Sequence, residues 1–162
     1  MKRLLFILTM LIAFVANAQV QDTFFGCKLG MTKKTVVAEL RRNMKILWEF
    51  STDDYIITMG KGGARTFTLG GFFFNMAQFS FYKGKFAKVS FDSFHDNYQE
   101  ASKEKESIAR ALSDKYEMVD IGGGKFSMED GPVGVYIRQL DDFTVELSYF
   151  RLDYIKSSHD EL

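Results

Sequence analysis

Apolar and polar residues alternate along this chain with two rhythms, and the changes of rhythm mark its elements. From Thr23 to Leu29 the pattern reads as a strand; Gly30 turns the chain, and Thr32 opens a helix, since its hydroxyl can accept from first-turn amides. Val36, Val37 and Leu40 recur at helical spacing, while Lys33, Lys34, Glu39, Arg41 and Arg42 take the wet side. The period then falls to two. Ile46, Trp48 and Phe50 alternate, Asp53-Asp54 turns the chain, and Tyr55, Ile57 and Met59 alternate back, predicting a hairpin. "GKGGAR" interrupts the rhythm. Phe67 and Leu69 resume it ahead of "GGFFFNMAQFSFY" and "KFAKVSFDSF", joined by a Lys83-Gly84 turn.

A second helix is predicted from a cap at Asp96 or Asn97 to about Lys115. Its apolar stripe is Ala101, Ile108 and Leu112, and Glu106 and Arg110 are spaced to pair across one turn. Strand patterns return at Tyr116–Ile121, Lys125–Met128, Val133–Ile137 and Phe143–Tyr149, the last after an Asp141-Asp142 turn. The order strand, helix, meander, helix, meander predicts an α+β fold: an antiparallel sheet with two helices packed on one face, built as tandem helix-plus-meander units. A single proline and short glycine breaks leave no linker long enough to divide it.

Strand alternation assigns the faces. Phe67, Leu69, Phe79, Phe81, Val89, Phe91, Val135, Ile137, Phe143, Val145 and Leu147 fall on one side and are expected beneath the helices. Thr66, Thr68, Gln78, Ser80, Tyr82, Lys88, Ser90, Asp92, Tyr136, Arg138, Thr144, Glu146 and Ser148 fall on the other, wettable side. Phe72-Phe73-Phe74 resists this sorting: either a glycine-induced bulge re-aims one ring, or one is left exposed as an anchor.

The first 18 residues do not belong to this pattern. Lys2 and Arg3 precede an apolar run from Leu4 to Val15 that closes on Ala16-Asn17-Ala18, the layout of a secretory signal peptide cleaved before Gln19. The run is too short for a membrane span, which takes about 20 apolar residues. Removing 18 of 162 residues leaves 144, predicted to form one domain over 19–162 with 19 basic and 21 acidic residues, a net charge of −2. No basic stripe favours nucleic acid or an anionic membrane. The expected location is the periplasm or the extracellular space. The closing His159-Asp160-Glu161-Leu162 matches an endoplasmic-reticulum retention address, which would apply in a eukaryote and is otherwise a coincidence of a charged tail. Cys27, the single cysteine, is either a buried small apolar group or an exported thiol able to pair with another chain; Phe stands where lipid attachment wants a small residue.

Catalytic chemistry is not visible. "GKGGAR" and "IGGGKF" lack phosphate-loop spacing, His95 and His159 are the only histidines, and no His/Cys/carboxylate cluster has metal-ligand spacing, so neither metal nor cofactor is expected. The acidic pairs Asp53-Asp54, Glu129-Asp130 and Asp141-Asp142 sit where turns are wanted. His95 with Asp96, beside Ser93, is the one pairing an enzyme could use, and Ser93 lacks a nucleophile elbow.

"FFGCKLGMTKKTVVAEL", "FYKGKFAKVSF" and "YQEASKEKESIARALSDKYEM" together resemble a loosely defined group of small secreted proteins of Bacteroidetes-type bacteria, over roughly Phe24 to Met118. That group is similar in architecture to β-lactamase inhibitor protein and to the small outer-membrane assembly lipoprotein. The resemblance implies a protein that binds another macromolecule through its sheet without catalysis. The chain lacks a cysteine directly after the leader and lacks the inhibitor's disulfides, so neither anchoring nor β-lactamase inhibition follows. The expected function is an exported, non-catalytic binding module recognising a protein or envelope component, with Tyr82, Tyr136, Arg138, Phe72 and Phe74 as candidate anchors. The alternative is a carrier of a small apolar ligand between sheet and helices.

Overall fold

The computed structural model describes residues 20–44, 50–120, 122, 124–127 and 132–153. The expected strand at Thr23–Leu29 is instead a miniature hairpin, β1 (Thr23–Phe24) against β2 (Cys27–Lys28). Its two-residue turn places Phe25 and Gly26 at φ of 50° and 81°, the left-handed geometry that suits the twist of a tight hairpin. Helix α1 (Lys33–Asn43) follows, its first turn closed by Thr32 accepting from the Thr35 amide at 3.3 Å. At the corner before it, Gly30 donates to the Phe86 carbonyl at φ +97°, and a Cβ there would meet the Arg151 guanidinium at 2.6 Å. Glycine is required at this position.

Strands β3 (Phe50–Ser51) and β4 (Tyr55–Met59) form the first hairpin of the main sheet; Ile46 and Trp48 lie outside the described residues. A 3₁₀ turn at Lys61–Gly63 leads to a separate ribbon, β5 (Phe67–Leu69) with β6 (Phe72–Phe74), closed by Gly70-Gly71. Thr66 and Thr68 therefore do not share the main sheet's wet face. Strands β7 (Met76–Tyr82) and β8 (Lys85–Phe94) are joined by the expected Lys83-Gly84 turn. Helix α2 (Tyr98–Ser113) starts at Asn97, whose side chain accepts from the Glu100 amide at 3.0 Å. Strands β9 (Val119–Asp120), β10 (Gly124–Ser127), β11 (Val133–Gln139) and β12 (Thr144–Arg151) are the remaining strands among the described residues.

Eight strands form one antiparallel sheet in the order β3-β4-β7-β8-β12-β11-β10-β9. Each helix precedes four of these strands, and the last strand of each set, β8 and β12, pair in the middle with Phe91 opposite Leu147 and Asp92 opposite Glu146. Val36 and Leu40 of α1 and Ile108 and Leu112 of α2 share one hydrophobic cluster with Phe79, Val89, Phe91, Val135, Ile137, Val145 and Leu147. Burying each such side chain is worth about 1.5–3 kcal/mol.

Two aromatic expectations change. Phe143 has the right parity for the core but precedes β12, in the Asp141-Asp142 turn, and is 52% exposed. In β6, alternation alone sorts the triple: Phe74 is fully buried, Phe72 packs half-buried against the core, and Phe73 points out at 53% exposure. The chain then passes through Asn75, whose amide donates to Gly63 O at 2.7 Å and whose Oδ1 accepts from the Phe94 amide at 2.8 Å. Among the described residues no helix is long and apolar enough to cross a membrane.

Candidate functional site

The sheet face away from the helices divides into two parts. Strands β3, β4 and β7 give it Phe50, Tyr55, Ile57, Met59 and Met76, with Gln78 and Ser80 between. Strands β8, β12 and β11 give it Lys88, Ser90, Asp92, Glu146, Ser148, Tyr136 and Arg138, in which Tyr136 faces Ser148 and Arg138 faces Glu146. Ser90, Asp92, Glu146 and Ser148 are buried although none points at the core.

Glu146 organises this polar half. Its Oε1 accepts from Lys88 Nζ at 2.8 Å and from Ser148 Oγ at 2.7 Å, and its Oε2 accepts from Arg138 Nε at 2.7 Å. Ser148 Oγ also lies 3.1 Å from Ser90 Oγ, and the Arg138 guanidinium sits 5.0 Å above the Tyr136 ring. Desolvation pushes the Glu146 carboxyl up, but the hydrogen bonds and charges of Lys88, Ser148 and Arg138 together prevail and hold it down at about 2.

Asp92, its neighbour across the strand pair, has the opposite fate. Burial pushes its carboxyl up to about 6, and the Glu146 charge adds to this against the opposing pull of Lys88 and Arg138. Its Oδ1 is sealed from water with no hydrogen-bond partner, an arrangement that costs free energy unless a donor is supplied.

The five candidate anchors do not converge. Tyr136 and Arg138 are adjacent members of the network. Tyr82 pairs with Lys85 at the far end of β7, with Lys83 Nζ 5.2 Å over its ring; four residues along and three strands across from Tyr136, it lies on the order of 20 Å away. Phe72 lies on the opposite side of the sheet, beside Ile108, Leu112 and Tyr116 at a small cavity of about 50 Å³. Phe74, with no exposed surface, is a core residue, which removes it as an anchor. Residues the sequence reading left unmarked, Asp92 and Glu146 above all, carry the electrostatics. Their only signal is that both sit in the outward register of closing strands, and it becomes readable once β8 and β12 are known to pair.

A second cluster gathers His95, Glu104, Arg65 and Ser93. His95 Nε2 is 2.5 Å from Glu104 Oε2 and 3.3 Å from Ser93 Oγ, while Arg65 lies 3.2 Å from His95 Nδ1 and donates to the Phe94 carbonyl at 2.9 Å. Serine and carboxylate share one ring nitrogen and Ser93 is fully buried, so the serine-histidine-carboxylate relay, which needs both ring nitrogens and a reachable hydroxyl, is not built. The cluster ties the segment before β5 and the end of β8 to α2.

Cys27 is also interior: fully buried, its thiol directed at the Val36 carbonyl at 3.7 Å and pushed up to about 12 by burial, with a smaller push from Glu39. Among the described residues no three His, Cys, Asp or Glu side chains group to hold a metal ion. On the helix side, a groove of about 570 Å³ runs between α2 and the β9–β10 end of the sheet, with Lys105, Arg110, Lys125 and Asp120 around an apolar floor of Ala109 and Ile137. No protein-family model, curated protein or solved structure matches the chain.

Proposed function

We propose that the chain is an exported, non-catalytic binding module: two helix-plus-meander units in tandem, joined at β8–β12, that recognise a protein or envelope component through the sheet face away from the helices. The observation that carries this reading is the face itself. It sets methionines and aromatic residues beside a preorganised charge network, and Tyr136 with Arg138 supplies residue types that tend to dominate binding energy. The resemblance to small secreted proteins with helix-plus-sheet architecture points the same way, and the leader-like residues 1–18 supply the route.

The test is a photo-crosslinking residue placed at Gln78 on this face and, as a control, at Lys103 on the outer surface of α2. A partner captured from the envelope at Gln78 alone, and lost when Tyr136 and Arg138 become alanine, is the expected result. Equal capture at both positions, or none at Gln78, refutes the reading.

A second reading, carriage of a small ligand between sheet and helices, draws on the groove beside α2, whose volume exceeds the roughly 300 Å³ at which ligand sites begin. Its charged lining suits a ligand with polar groups better than the purely apolar one anticipated from the phenylalanine content. Native mass spectrometry of the purified protein distinguishes the two, since a carrier retains a bound small molecule.

A further inference from the structure

Asp92 is 8% exposed, its Oδ1 has no donor, and it lies between two unlike neighbourhoods. On one side Glu146 stands directly opposite, its oxygens already committed to Lys88, Arg138 and Ser148. On the other, the cross-strand row continues through Met76 to Met59, and Phe94, two residues on, is 38% exposed. Lys88 and Arg138 each bond Glu146 and neither bonds Asp92, which leaves Asp92 the carboxylate of this pair with a buried oxygen unsatisfied.

We propose that Asp92 is the docking point for a lysine or arginine side chain of a protein partner, whose alkyl stem lies across Met76 and Met59 while its cationic tip reaches the carboxylate. This rests on the face-binding function proposed above and names the chemistry the partner presents. A long side chain with an apolar stem and a charged end matches a cross-strand row that runs from two thioethers to a carboxylate. A cation meeting the small part of the carboxylate that stays exposed supplies a donor to a side chain that has none, and a charge-assisted hydrogen bond is the strongest single contact available there. An acidic or purely apolar side chain leaves the carboxylate without a donor, and an acidic one adds a third negative charge to Asp92 and Glu146.

The probe is a defined tripeptide, acetyl-Leu-Lys-Leu-amide, with norleucine and glutamate replacing lysine in two controls, titrated against the folded protein while the Asp92 carboxyl carbon is followed by NMR. The lysine peptide is expected to bind at least about tenfold more tightly than either control, to move the Asp92 titration to lower pH, and to lose its advantage in Asp92→Asn. That variant keeps the side chain's shape and removes a repulsion, so it folds; its circular dichroism confirms this. Equal binding of the three peptides, or a lysine preference that survives Asp92→Asn, overturns the proposal. So does displacement of the lysine peptide by millimolar calcium, which assigns the carboxylate to a metal ion.

Crosslinking at Gln78 keeps the two ideas separate. Tyr136- and Arg138-dependent capture of a protein without an Asp92-dependent lysine preference removes the docking point and leaves the face reading standing. The reverse pattern, an Asp92-dependent lysine preference without capture at Gln78, leaves a cation-binding carboxylate with no partner protein and removes both readings.

Discussion

On one side of the β8–β12 pair lie Val89, Phe91, Leu147 and Tyr149; on the other lie Ser90, Asp92, Glu146 and Ser148. All eight are buried. The first four pack in the core with Phe24, Phe25 and Phe74 as well as the helices and gain from leaving water, with tolerance for how they fit. Ser90, Glu146 and Ser148 are linked by directed hydrogen bonds, and one oxygen of Asp92 is left unmatched. The same two strands thus present a face that supplies stability and a face that holds a fixed charge pattern at some cost, and the proposed binding belongs to the second.

The sharpest way to break this contrast is to truncate each side. Phe91→Ala, which opens a cavity beside Phe24 and Phe74, is expected to cost about 3–5 kcal/mol in denaturant unfolding. Glu146→Gln is expected to cost about 1–3 kcal/mol, less because Lys88 and Arg138, at 35% and 41% side-chain exposure, recover water. A loss as large as that of Phe91→Ala would mean the polar face is as structural as the core.

Asp92→Asn is expected to act with the opposite sign, stabilising the protein at pH 7 by about 1–3 kcal/mol. The carboxyl titrates near 3.8 when unperturbed and about 6 in the fold, so between those values the folded state binds more protons and stability falls as pH rises. Glu146 behaves oppositely: its stabilisation is present above its ordinary 4.5 and lost as pH falls toward about 2. The pair's joint contribution therefore peaks near pH 4, and Asp92→Asn flattens the upper flank in thermal melts across pH. A flank that persists in this variant would mean that another group causes it. The smallest change is Ser148→Ala, expected to cost about 1 kcal/mol; a neutral result would reduce its bonds to Glu146 and Ser90 to mere adjacency.

What the sequence disclosed tracks the range of each interaction. The cap at Thr32, a second cap at one of the two expected positions, Asn97, the Lys83-Gly84 turn and the two-residue rhythm of β7, β8, β11 and β12 are local, and all are present. The β1–β2 hairpin was hidden because two-residue strands are shorter than any period can register. Phe143 obeyed parity but lies beyond the strand that would have buried it, and Phe72 was assigned to a surface that its own ribbon turns toward α2. The Asp92–Glu146 and Arg65–His95–Glu104 groupings depend on pairings between distant segments, which alternation does not encode. Tyr136 and Arg138 were legible as outward-facing residues; the network that holds Arg138 was not.

The sheet's strand order also dictates a schedule. Because β12 follows every other strand among the described residues yet sits between β8 and β11, β8 and β11 both lack an inner neighbour until this strand arrives. A polypeptide growing from its amino end leaves two unfinished borders waiting on a single late insertion, and closing that long span is the slow kind of step. Folding is thus gated by this last strand, and a nascent chain halted before Thr144 would hold the first set of four strands and only three of the second, with no seam to unite them.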